Sequence, residues 1–133
     1  RIREKGSFAS GSAVLQTSFM PILDKIGDVL NKTDGELIFA GNTDNIPIST
    51  TQYPSNWVLS AARAANVVHY YSKTDKLLAD RMQIRAHSDT RPTASNDTAE
   101  DRAKNRRVEI IIREGSAKPI VIDDPEQILE IDQ

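Results

Sequence analysis

The chain has no cysteine among its 133 residues. Disulfides and thiolate metal sites are therefore excluded. No apolar run approaches the roughly 18 residues that a membrane span needs, and no secretory signal pattern is visible. Bulk positive charge is missing too. The formal net charge is -2, which gives no support for nucleic acid as a partner. Metal spacing is absent: His69 and His87 each stand without a second ligand at zinc spacing. Asp89, Asp97 and Asp101 lack the spacing of a calcium loop. Ser60 follows no nucleophile-elbow pattern, and no pair of acids is spaced for hydrolysis. Neither an enzyme activity nor a cofactor is implied.

What is present suits one domain. The chain is 38% hydrophobic and 27% charged, enough for a single core under an ordinary polar surface. Charge divides it in two. Residues 114–133 hold six acids and one base, a net of -5, which leaves residues 1–113 at +3. The expected organisation is a domain over 1–113 and a flexible acidic tail over 114–133. Arg1-Ile2-Arg3 already reads as strand interior, so a longer protein with any membrane or targeting segment upstream is expected.

Periodicity orders the elements. Ile2 to Phe8 is a strand candidate. Thr17 or Ser18 can cap a helix whose first turn holds Pro21. Phe19, Ile22, Leu23, Ile26, Val29 and Leu30 form its apolar stripe. Glu36 to Gly41 is a short, mostly apolar strand of the kind found at a sheet centre. A second helix runs from about Asn56 to Tyr71, with a stripe drawn through Trp57, Ala61, Ala64, Val68 and Tyr71. Arg81 to His87 alternates as a strand. Ala99 to Asn105 is a short helix, and Arg107 to Arg113 is a last strand with Val108, Ile110 and Ile112 on one face. The order β-α-β-α-β-(short α)-β predicts an α+β fold, a two-layer sandwich with two helices on a mixed four-stranded sheet.

Three stretches could carry binding chemistry. Gly41-Asn42-Thr43-Asp44 sits where a buried strand empties into a loop. Asp44 there could cap a turn or pair with a cation. Arg63 lies off the stripe of the second helix and shares a face with Leu59. Alone it reads as a solvated arginine. Beside Asp44 it would complete a zwitterion site, the carboxylate for an ammonium and the guanidinium fork for a carboxylate. Asn105-Arg106-Arg107-Val108-Glu109 enters the last strand, and one of its arginines could line the same pocket.

Together these stretches resemble the OmpA-like C-terminal domain family. The resemblance rests on Thr43-Asp44, on Asn56, Leu59, Ser60, Arg63, Ala64 and Val67 at their spacing, and on Asn105 to Glu109, in order over roughly 8–113. The loop Asn45-Ile46-Pro47-Ile48, the run Tyr53-Pro54-Ser55-Asn56-Trp57 and the segment Asp89 to Arg107 are similar to flagellar motor stator B subunits of the MotB and PomB kind. The resemblance implies peptidoglycan as partner, bound at the diaminopimelate of the stem peptide. Asp44 would take the ammonium and Arg63 the carboxylate. Thr43, Asn56 and Leu59 would shape the site, with Arg107 beside it. It implies further a non-catalytic wall anchor, a homodimer, and a stator A subunit (MotA/PomA type) met through a membrane part. That would make this the periplasmic domain of a single-span inner-membrane protein. A tether of the outer-membrane OmpA or Pal type is the alternative within the family, and a wall-active hydrolase the alternative outside it. Asn42 departs from the family, where histidine is common before Thr-Asp, and so does Ala86-His87-Ser88.

Overall fold

Leu37, Ile38, Phe39 and Ala40 are each at most 1% exposed, as a strand buried on both faces must be. They form β1 (Glu36–Gly41), the central strand of the computed structural model, which describes residues 8–113. The other elements are α1 (Met20–Leu30), α2 (Asn56–Lys73), β2 (Met82–Ala86), α3 (Ala99–Asn105) and β3 (Val108–Arg113). β2 pairs with β1 in parallel and β3 pairs with it antiparallel, giving the order β2-β1-β3. The sheet is mixed and the architecture α+β, as the pattern predicts. Three strands are described rather than four. The strand expected over Ile2 to Phe8 lies mostly outside the described residues, and Phe8 itself makes an isolated bridge with Leu15. The acidic tail over 114–133 also lies outside them.

Alternation along β1 divides its side chains. Leu37 and Phe39 join Leu23 and Leu30 of α1 and Ala64, Val67 and Tyr71 of α2 in one buried cluster. Burying each large apolar side chain contributes about 1.5–3 kcal/mol. Tyr71 locks the layers: its ring packs at a tilt against Phe39, centroids 5.9 Å apart, and its hydroxyl donates to the Leu23 carbonyl at 2.7 Å. Gly41 lets α2 approach the strand end. A Cβ there would stand 1.9 Å from the Ser60 carbonyl oxygen, so only glycine permits this contact.

Two sequence readings are corrected. The buried stripe of α2 is Leu59, Ser60, Arg63, Ala64, Val67 and Tyr71, whereas Trp57 is 54% exposed. The helix is rotated from the expected phase because the close packing of Gly41 against Ser60 sets which side meets the sheet. In α1, neither Thr17 nor Ser18 caps the helix. Thr17–Phe19 is a 3-10 turn leading into Met20, with no side-chain cap bond. Of the expected stripe, Val29 is 60% exposed and Ile22 39%.

Candidate functional site

Asn42, Thr43 and Asp44 follow β1 and are 1%, 3% and 5% exposed. The backbone holds them from both sides. Asn42 N donates to the Arg107 carbonyl and Thr43 N to the Ser88 carbonyl, both at 2.9 Å. The chain thus leaves the sheet in a fixed direction. Thr43 Oγ1 donates to the Asp44 carbonyl at 2.8 Å. Asp44 Oδ1 accepts from Ile46 N at 3.1 Å, so the turn-capping role is real. Its other oxygen, Oδ2, accepts from Arg106 Nη1 at 2.9 Å. With side chains 10% and 7% exposed, Arg106 and Asp44 form a nearly buried ion pair. Such a pair stabilises little in net terms but is costly to break.

Arg63 is fully buried, contrary to the solvated reading. Its Nε donates to the Ser12 carbonyl, Nη1 to that of Asn42 and Nη2 to that of Ala9, at 2.8, 3.0 and 3.1 Å. Those bonds use three of the five N–H donors that a guanidinium carries. Its charged end also lies over the Phe8 ring at 5.3 Å, a favourable contact. Burial draws its pKa down to about 10; Asp44 opposes this and Arg106 adds to it. Arg63 therefore stays charged at neutral pH. One buried carboxylate bonds Arg106 and acts on Arg63 through charge alone, which leaves a local excess of one positive charge.

The predicted site residues separate on inspection. Asp44, Arg63 and Thr43 gather at the end of β1. Asn56 joins them indirectly, since its Nδ2 donates to the Ile46 carbonyl at 3.2 Å. Leu59, at 2% exposure, is part of the packing beneath. Arg107 turns elsewhere: its Nε meets Glu109 Oε2 at 3.1 Å and its Nη2 the Arg91 carbonyl at 2.8 Å. Arg106 is the arginine against Asp44. Strand parity could have named it, since Val108, Ile110 and Ile112 face the helices and 106 shares their parity. Asn105, fully buried, was also missed as an organiser. Its Oδ1 accepts from the backbone amides of Thr93 and Ala94, and its Nδ2 donates to Asn96 Oδ1. Asn96 Oδ1 in turn accepts from Asn45 N at 3.3 Å, beside Asp44. Among the described residues, no group of His, Asp or Glu is placed to hold a metal, and no helix is long and apolar enough to cross a membrane.

Comparison with known proteins gives this arrangement a lineage. The cell wall anchor of the T6SS from Pseudomonas aeruginosa is 45% identical, with a TM-score of 0.70 over 85% of this chain and 79% of that one. The periplasmic domain of Helicobacter pylori MotB superposes with a TM-score of 0.75 over 97% of this chain and 76% of that one. At 24% identity, that likeness is one of fold. Motility protein B of Bacillus subtilis is 37% identical over 112 residues, 84% of this chain and 43% of that protein. The chain spans about half, or less, of the length of the curated relatives it matches. The OmpA family model matches residues 7–106, a span that contains the Asp44, Arg63 and Arg106 cluster whole, and the chain belongs to the OmpA family.

Proposed function

We propose that this chain is a non-catalytic domain that binds peptidoglycan and anchors a larger envelope protein to the cell wall. The observation that carries the reading is the nearly buried Asp44 carboxylate at the exit of the central strand, bonded to Arg106 at 2.9 Å, with the buried Arg63 guanidinium near enough to feel its charge. The site offers carboxylate oxygens to an ammonium and guanidinium N–H donors to a carboxylate. A free amino-acid centre, such as that of diaminopimelate in a stem peptide, presents both charges a few ångströms apart. In this reading Asp44 takes the ammonium and Arg63 the carboxylate, while Thr43, Asn56 and Leu59 shape the seat and Arg107 supports it through its carbonyl alone, which accepts from Asn42 N. Arg63 is reached when Ala9 to Ser12 part from it, the carboxylate taking over from their carbonyls. The names of the relatives support wall anchoring, and membership of the family supports a binding role without catalysis.

Within that reading, the chain serves as the periplasmic part of a flagellar stator B subunit. It acts as a homodimer, held by a single-span inner-membrane segment to a stator A subunit. The Motility protein B likeness supports this. A second reading, an anchor for a secretion machine, draws support from the 45% identity to the T6SS wall anchor. Wall binding is common to both. Co-sedimentation with purified sacculi tests it. The chain should pellet with sacculi, and Asp44→Asn should remain largely in the supernatant while keeping its circular dichroism spectrum. Equal pelleting of the two proteins contradicts the proposed seat.

A further inference from the structure

The outer face of the sheet carries positive charge that the Asp44 cluster does not use. Ala40 faces away from the helices and is paired with Arg85 on one side and Glu109 on the other. Alternation therefore puts Arg85, His87, Arg107 and Glu109 on that outer face. Arg91 is tied to the same corner. Its carbonyl accepts from Arg107 Nη2 at 2.8 Å, and the preceding Thr90 hydroxyl donates to the His87 carbonyl at 2.6 Å. Arg85 and Arg91 are exposed, and neither side chain has a hydrogen bond or ion pair among the described residues. Arg107 has one acidic partner, Glu109, whose side chain is 46% exposed. Of the three guanidinium groups, only that of Arg107 has a carboxylate partner, and that carboxylate is half exposed. The nearly buried His87 imidazole registers their field, since its pKa is lowered first by burial and then by Arg91 and Arg85.

An exposed arginine is usually only solvated. Here the backbone gathers three against two acids, Glu109 and the turn residue Asp89, whose Oδ1 lies 3.4 Å from the Ser88 hydroxyl, so the corner keeps a net positive charge that an anion can meet. The surface adjoins the seat. Asn42 and Thr43 are bonded on one side to Arg107 and on the other to Ser88, the neighbour of His87. Arg85 pairs with Ala40, four residues before Asp44 in a chain that leaves the strand after Gly41, so at most about 13 Å of backbone separates the two positions. An extended peptide of about four residues covers that distance.

We propose that Arg85, Arg91 and Arg107 form a second binding surface, which takes another carboxylate of the same wall peptide whose charged centre sits at Asp44. The proposal rests on the wall-binding reading and adds a selectivity to it. The domain distinguishes wall peptides whose remaining carboxylates are free from those in which they are amidated.

The test titrates the whole chain with two soluble diaminopimelate-containing stem peptides. One has every carboxylate free. The other is amidated at each carboxylate outside the zwitterionic centre. The chain should prefer the free peptide by about tenfold. The exposed double variant R85Q/R91Q should lose that preference and bind the amidated peptide as the parent does. A parent without preference, or a double variant that keeps it, overturns the proposal. A soluble glycerol-phosphate polymer is the third ligand. If R85Q/R91Q loses the polymer but keeps the peptide preference, the surface reads phosphate and the proposal is overturned. Asp44→Asn separates the two readings: it should weaken both peptides. If it weakens neither while R85Q/R91Q abolishes the preference, the seat at Asp44 is rejected and the carboxylate surface stands.

Discussion

Arg106 bonds the Asp44 carboxylate and the Phe8 carbonyl at once, each at 2.9 Å. It joins the start of the described chain to the exit of the central strand. Removing it leaves a buried carboxylate and a carbonyl without their donor. Arg106→Ala should therefore cost about 3 kcal/mol or more. Arg107→Ala, which loses an ion pair to a half-exposed partner and a bond to the Arg91 carbonyl, should cost less, about 1–2 kcal/mol. Urea denaturation of the two variants checks the order. Equal losses would mean that the two arginines are not placed as described.

Gly41→Ala tests how closely α2 lies on β1. The added Cβ would meet the Ser60 carbonyl oxygen at 1.9 Å, and backbone can yield only by lifting the helix. A loss of about 2 kcal/mol or more is expected, read from denaturant midpoints. A variant as stable as the parent would rule out that contact.

His87 makes stability depend on pH in a stated direction. Burial, with help from Arg91 and Arg85, lowers its pKa from the ordinary value of 6.5, although Glu109 opposes them. The unfolded chain then takes up the proton first as pH falls. The contribution of His87 is complete above about pH 6.5 and is lost as pH falls below it, towards the folded value. Urea midpoints between pH 7 and pH 5 should fall more steeply for the parent than for His87→Gln. Parallel slopes would contradict the assignment.

The phase of α2 predicts a contrast between two aromatic residues. Trp57 is 54% exposed and Tyr71 fully buried. Trp57→Ala should cost about 1 kcal/mol or less, and Tyr71→Ala about 3 kcal/mol or more. Thermal unfolding of both variants distinguishes this phase from one that buries the tryptophan.

Particular residues explain what could be read beforehand. β1 was legible because Leu37 to Ala40 form a short apolar run, and α3 because its caps and length are local. The phase of α2 was not, because a tryptophan at its start invites burial and the deciding contact, Gly41 with Ser60, is non-local. Arg63 looked solvated because its acceptors, Ala9, Ser12 and Asn42, lie 54, 51 and 21 residues away. Its spacing of four from both Leu59 and Val67 did mark the buried face. The place of Asp44 at a strand exit was legible from the apolar run before it, whereas its pairing with Arg106 rather than Arg107 needed the strand's parity to be extended by one step.

The central claim, that Asp44 and Arg63 seat a zwitterionic wall residue, is tested most directly by following the labelled chain's amide NMR signals during titration with a soluble diaminopimelate-containing peptide. The account predicts saturable shifts at Thr43, Asp44 and Ile46 and across Ala9 to Ser12, the segment bonded to Arg63. The Asp44→Asn chain should show them only at much higher peptide concentration. Shifts confined to other surfaces, or an unchanged titration for the variant, would contradict it.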